Sequence, residues 1–248
     1  MKHFFSIIGG MGTIATESFV RLINHRVKIT KDQDYLNYIL VNDAEVPDRT
    51  AYIMDQSNPD FLPTLLEDVK GQSLLHPDFM VMPCNTAHYY YDKLASATDV
   101  PFINMMDLAV HHFIDNYPQE KKIGLIATEG SIFDHLYEDA FKKAGKEVEL
   151  GGPEIQPMVT SLIYEYIKEK GTVNRELYHQ ILQKMHDEYG CEVILLGCTE
   201  LSLAQELAGD HPYHVIDPQS LLADVTIDMA LRIRKGEDSK SVTAEYLY

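Results

Sequence analysis

Two cysteines stand at matching places in this chain. Cys84 follows an apolar run at 79–82 and leads into Asn85-Thr86-Ala87-His88; Cys198 follows a run at 193–196 and leads into Thr199-Glu200-Leu201. Each pattern reads as a buried strand that delivers a thiol to the start of a helix. A thiol there feels the positive end of the helix dipole, worth up to about 2 kcal/mol, somewhat more than one pKa unit. From a free value of about 8.5, the dipole is expected to poise each thiol close to neutrality, where a proton donor and acceptor works best. The unpaired backbone N–H groups of Asn85, Thr86, Thr199 and Glu200 are placed to hold a carboxylate between the sulfurs. Two thiols on opposite faces of one carbon suit inversion of a stereocentre. One thiolate removes a proton and the other thiol supplies one to the opposite face, whereas a single base would return the proton where it found it.

The elements that position these thiols alternate between strand and helix. Residues 4–8 are an apolar run closed by Gly9-Gly10-Met11-Gly12, followed by helical spacing through Phe19, Leu22, Ile23 and Val27. Residues 35–41 read as a strand, Pro47-Asp48-Arg49-Thr50 as a loop, 61–69 as a helix, 89–97 as a helix and 101–104 as a short strand before a helix at 107–114. The second half repeats the order. Residues 122–127 form a strand closed by Thr128, and Phe133, Leu136, Ala140 and Phe141 give one helix. A strand at 148–150, a helical stretch through Ile163 and Ile167, a helix capped by Asn174, a strand at 213–216 and a final helix at 221–233 complete it. The polar tail from Lys235 is expected to fray.

Spacing supports the repeat. Cys84 lies 74 positions after Gly10, and Cys198 lies 70 after Thr128. The expected fold is α/β, with two pseudo-symmetric lobes, each a mostly parallel sheet flanked by helices. The site is expected in the cleft between them, beyond the strand ends, where Met11 in the glycine-rich turn and Thr128 also fall. The expected division is 1–105 plus 218–248 for the lobe of the first cysteine, and 106–217 for the second.

Composition narrows the partners. The 248 residues suffice to bury roughly 70–75% of the unfolded surface. Net charge is −17 with no Lys/Arg cluster, so nucleic acid is not an expected partner. No run reaches the ~18 apolar residues of a membrane span. The basic-then-apolar start breaks at Gly9-Gly10 and reads as a first strand rather than a leader. Three cysteines without dense spacing argue against a disulfide scaffold, and a reducing cytoplasm is expected.

Ile8-Gly9-Gly10-Met11-Gly12, Pro47-Asp48-Arg49-Thr50, Cys84-Asn85-Thr86-Ala87-His88, Ala127-Thr128 and Gly197-Cys198-Thr199-Glu200 together resemble the aspartate/glutamate racemase family, on its aspartate side. The resemblance runs from residue 4 to about 230. It implies an isomerase independent of pyridoxal phosphate and of metals, commonly a homodimer, that interconverts L- and D-aspartate, with glutamate as a further substrate. It implies Cys84 and Cys198 as the acid/base thiols, and Asn85, Thr86 and Thr199 as holders of the α-carboxylate. Arg49 and Lys168 would take the side-chain carboxylate, with Lys170 as the alternative to Lys168. Thr13 stands where the family commonly has proline, and Ser131 where it commonly has threonine.

Other readings stand beside these. Both cysteines could be core thiols, Arg49 a solvated loop charge, and Cys191 is best read as core. His88 reads as a hydrogen-bonding residue at the helix start rather than a third acid/base. The glycine-rich turn lacks the spacing of a dinucleotide fingerprint. A racemase of neutral amino acids and a non-catalytic two-lobed carboxylate binder are the competing functions.

Overall fold

A computed structural model describes all 248 residues. The first half runs β1 (Phe4–Gly9), α1 (Thr13–Arg26), β2 (Asn37–Asn42), α2 (Arg49–Met54), α3 (Leu62–Ser73) and β3 (Met80–Val81). A 3-10 turn (Thr86–Tyr90), α4 (Tyr91–Ala95), β4 (Phe102–Ile103) and α5 (Met105–Asn116) follow. The second half runs β5 (Lys122–Ala127), α6 (Glu129–Phe133), α7 (Glu138–Lys143), β6 (Glu147–Glu149), α8 (Gly152–Thr160) and a π-helical segment (Ser161–Glu169). It continues through α9 (Arg175–Asp187), β7 (Val193–Gly197), α10 (Thr199–Leu207) and β8 (His214–Ile216), and the chain ends in α11 (Pro218–Arg234) and α12 (Ser239–Ala244).

The halves share one topology. The first sheet has the order β2-β1-β3-β4 and the second β6-β5-β7-β8, every pairing parallel. In both, the cysteine-bearing strand (β3 or β7) pairs with the strand that opens its half (β1 or β5). All residues of β1 and β7 are buried, which is why these strands read as unbroken apolar runs instead of alternating ones. One core joins the sheets. Phe5, Ile7 and Val81 of the first and Leu125, Val193 and Leu195 of the second belong to a single buried cluster with Phe19, Phe113, Leu222 and Met229. The last three helices in that list explain how: α11 packs against α1 and α5 and also reaches β7. No helix is long and apolar enough to cross a membrane.

Several local expectations are corrected. Pro47-Asp48-Arg49-Thr50 is not all loop: Asp48 caps α2 by accepting from the Ala51 N–H at 2.7 Å, and Arg49 opens the helix. The single helix expected over 133–141 is two, because His135 at φ 54° takes a left-handed turn between α6 and α7. The helix expected at 89–97 is the 3-10 turn followed by five-residue α4. The tail does not fray. It forms α12 with Val242 buried, and Arg232 binds Glu245 at 2.7 Å, so apolar burial and an ion pair fold it back onto α11.

Candidate active site

The ends of β1, β2, β3, β5 and β7 lead into one cavity. It is lined by Met11, Asp48, Arg49, Thr50, Cys84, Asn85, Thr86, Thr128, Lys168, Cys198, Thr199 and Glu200. All ten residues singled out from the sequence are among them; Asp48 and Thr50 are additions. The empty volume is about 270 Å³. A larger cavity, with an empty volume of about 1300 Å³, lies elsewhere, among Arg26, His112, His211 and Asp217. It contains none of these residues, and the chemistry of the lining decides in favour of the smaller one.

The first half supplies a turn, a cation and a thiol. Gly10 has φ +98°, and a Cβ on it would lie 2.1 Å from the Asp43 carbonyl oxygen, so only glycine fits the turn that brings Met11 inward. Arg49 is buried, and its Nη1 donates to the carbonyls of Val46 (3.1 Å) and Pro47 (2.9 Å). The Cys84 carbonyl accepts from His88 Nδ1 at 2.8 Å, while His88 Nε2 accepts from the Met105 N–H at 3.3 Å. The ring is therefore a neutral Nδ1–H tautomer clamped between two backbone groups. Burial holds its pKa down to about 4.

The second half answers with a thiol, a carboxylate and an ammonium. Cys198 is the N-cap of α10 in extended conformation, and its Sγ donates to Glu200 Oε2 at 2.9 Å. Thr199 Oγ1 reaches the same oxygen at 3.4 Å. Glu200 is 4% exposed, and its Oε1 lies 3.9 Å from Lys168 Nζ. Lys168 comes from the π-helical segment and sits 4.5 Å from the Tyr164 ring centroid. Lys170 instead lies over Tyr166 and does not line the cavity, so Lys168 is the one that reaches it. The wider π turn is a feature of sites more than of ordinary helices, and the apolar spacing of residues 163–167 gave no sign of it.

The halves meet at hydroxyls. Thr86 Oγ1 lies 3.1 Å from Thr128 Oγ1 and 3.2 Å from Ser131 Oγ, and those two are 3.0 Å apart, a closed triangle across the cleft. A Cβ on Gly130 would lie 2.9 Å from Thr50 Cα, so a glycine there lets α6 approach α2. Tyr137 crosses the same boundary, its hydroxyl donating to Asn85 Oδ1.

The electrostatics correct one expectation. Burial raises the Cys84 pKa, with the Arg49 charge pulling it down. Burial raises Cys198 well above its ordinary value, and the Glu200 charge pushes it further the same way while Lys168 opposes. Neither thiol is poised near neutrality by a helix dipole. The element after Cys84 is a 3-10 turn rather than a helix, and desolvation of the thiolate outweighs the dipole at both positions. For Lys168, burial favours the neutral amine, but Glu200, Cys198 and Tyr164 together hold the pKa raised. No group of three or more His, Cys, Asp or Glu stands in position to hold a metal ion.

Three contributors escaped the sequence reading. Ser131 was noted only as a departure from the family pattern. Tyr164 sits four residues before Lys168, a spacing that would have suggested one helical face. Tyr137 had no local signal, since its partner lies 52 positions away.

Two like parallel α/β halves that meet at a cavity lined by a thiol from each form the framework of the two-lobed racemases. The chain belongs to the Asp/Glu/hydantoin racemase family, whose sequence profile matches residues 8–226, and it is an isomerase of that kind. It is similar to the broad specificity amino-acid racemase RacX of Bacillus subtilis, 23% identical over 235 residues, covering 91% of this chain and 97% of that one. Among solved structures, the aspartate racemase of Picrophilus torridus superposes with a TM-score of 0.77 at 24% identity, covering 92% of this chain and 94% of that one. Glutamate racemase isoform RacE1 of Bacillus anthracis does so with a TM-score of 0.61 at 18% identity, covering 94% and 82%. These structural likenesses establish the fold.

Proposed function

We propose that this chain racemises aspartate, with glutamate as a second substrate, by two-base proton transfer between Cys84 and Cys198. The observation that carries the reading is the lining of one buried cavity by both thiols, by the amide and hydroxyls of Asn85, Thr86, Thr128 and Thr199, and by Arg49 and Lys168. One cysteine, as thiolate, takes the Cα proton. The other, as thiol, gives its proton to the opposite face. The stereocentre is inverted, and the pair is left with its single proton on the other sulfur. Asn85, Thr86 and Thr199 hold the α-carboxylate; the two cations hold the distal one, Arg49 through its planar fork. The halves, 1–105 plus 218–248 against 106–217, part to load the amino acid. The working unit is a cytoplasmic homodimer.

The test is Cα–H exchange in deuterated buffer without added cofactor, across L- and D-aspartate, glutamate and neutral amino acids. Exchange confined to neutral amino acids, or none at all, would refute the dicarboxylate reading. A second reading, a racemase of neutral amino acids, is favoured by one feature. Arg49 Nη1 is already committed to two carbonyls, and Lys168 already faces Glu200, so both cations are partly occupied by the protein. The Arg49→Leu variant discriminates. It cripples a dicarboxylate enzyme and spares one for neutral substrates.

A further inference from the structure

Asn85 and Tyr137 form a bond across the cleft whose direction is set by burial. Tyr137 is fully buried, and its hydroxyl has one partner, the Asn85 side-chain oxygen. Asn85 is 1% exposed and lines the cavity, and its Nδ2 has no partner within the protein. An amide can be turned either way in outline, but the two orientations differ here. With Oδ1 toward Tyr137, the phenol donates and both groups are satisfied. With Nδ2 toward Tyr137, the phenol oxygen would accept and its own proton would be buried without an acceptor. Burial also raises the phenol pKa well above its ordinary value, which keeps it a donor.

We infer that Tyr137 is a positioning residue for substrate recognition: by holding the carbonyl end of Asn85, it fixes the amide with its two N–H donors free for the substrate carboxylate. This inference rests on the proposed reading of Asn85 as a carboxylate holder. The lock is supplied by the opposite half of the molecule, since Tyr137 immediately precedes α7 and Asn85 follows β3. The amide is therefore oriented only while the halves are together. Parting them releases it, and the carboxylate seat is complete only around a substrate already enclosed.

Tyr137→Phe removes the hydroxyl and keeps the ring in the core. It is expected to raise KM for aspartate about fivefold, the value of one lost neutral hydrogen bond of about average strength, with kcat changed far less. Asn85→Ala raises KM as well, and adding Tyr137→Phe to it costs nothing further, because the tyrosine acts only through the amide. A purely structural tyrosine would add the same loss in both backgrounds. Tyr178→Phe serves as the control: Tyr178 is equally buried and donates to an amide oxygen, that of Gln205, away from the cavity, and its loss leaves KM unchanged. If Tyr137→Phe does not fold, Asn85→Asp decides. It presents a carboxylate oxygen where the amide presents donors, and it must raise KM more than Asn85→Ala does. A wild-type KM in Tyr137→Phe, equal losses in both backgrounds, or Asn85→Asp no worse than Asn85→Ala overturns the positioning role and leaves the racemisation reading standing. A wild-type protein without Cα exchange overturns both.

Discussion

Cys84 and Cys198 end equivalent strands of a repeated sheet, yet they stand in opposite electrostatic settings. The strongest charge acting on Cys84 is a guanidinium, whereas Cys198 has a carboxylate that accepts a hydrogen bond from its thiol at 2.9 Å. Behind Cys84 the backbone tightens into a 3-10 turn; behind Cys198 a nine-residue helix begins. The repeat thus reproduces the strand end and not its surroundings. Symmetry places a thiol on each side of the cleft, and the residues next in line make the two unequal. Arg49 favours thiolate at Cys84, while Glu200 favours thiol at Cys198. A resting enzyme with Cys84 as the base and Cys198 as the acid is the arrangement this asymmetry supports.

The largest effect expected tests whether both thiols work at all. Cys84→Ala and Cys198→Ala should each lower racemisation by about 10²–10⁴-fold, the usual contribution of a positioned acid or base. Each should keep Cα exchange from one enantiomer only, and opposite enantiomers in the two variants. Wild-type racemisation in either would remove the two-base mechanism. Next in size is Arg49→Leu. A lost charge-assisted contact to the distal carboxylate is worth about 1.5–3 kcal/mol, or about 10–100-fold in kcat/KM for aspartate. The same change removes the charge that lowers Cys84, so the alkaline rise of activity assigned to Cys84 should move to higher pH.

How far the sequence could reveal this asymmetry follows from how local each signal is. The repeat, the buried strands and both thiols were readable because each is a short run with its own period and punctuation. The lining residues were readable too, through motif stretches that lie within a few positions of a strand end. The pairing of Glu200 Oε2 with the Cys198 sulfur was not, since two neighbouring residues do not disclose which way a side chain turns. The break at His135, the π turn before Lys168 and the Tyr137–Asn85 bond were beyond local reading, because each is set by packing against distant segments. The same holds for the thiol pKa values. A helix start is visible in sequence, but the burial that outweighs its dipole is a property of the closed cleft.

Glu200→Gln probes the other side of the comparison. Burial raises Cys198 first and Glu200 second, so removing the carboxylate charge should lower the Cys198 pKa, and Lys168, no longer countered, should lower it further. The pH profile for the direction in which Cys198 is the base should shift to lower pH, with the Cys84-dependent direction moved much less. A profile that shifts upward, or one that moves equally in both directions, would break the assignment of unequal thiols.

The smallest effect on turnover belongs to His88, which has no counterpart beside Cys198, where Ser202 holds the corresponding position. His88 clamps the Cys84 carbonyl as a neutral ring with its pKa down to about 4, against an ordinary value of 6.5. Between those values the unfolded chain binds a proton that the folded one refuses. Stability from this group is therefore complete above about pH 6.5 and is lost as pH falls toward 4. At about 1.36 kcal/mol per pKa unit, the loss is on the order of 3 kcal/mol. His88→Gln keeps a donor for the Cys84 carbonyl but cannot titrate, so it should flatten the dependence of urea unfolding on pH between 4 and 6.5 relative to wild type. It should leave the pH profile of the Cys198-dependent direction in place, because the clamp acts on one thiol only. An unchanged slope would show that the acid sensitivity of the fold lies elsewhere. A moved Cys198 profile would show that the two strand ends are mechanically coupled through the closed cleft and do not tune their thiols separately.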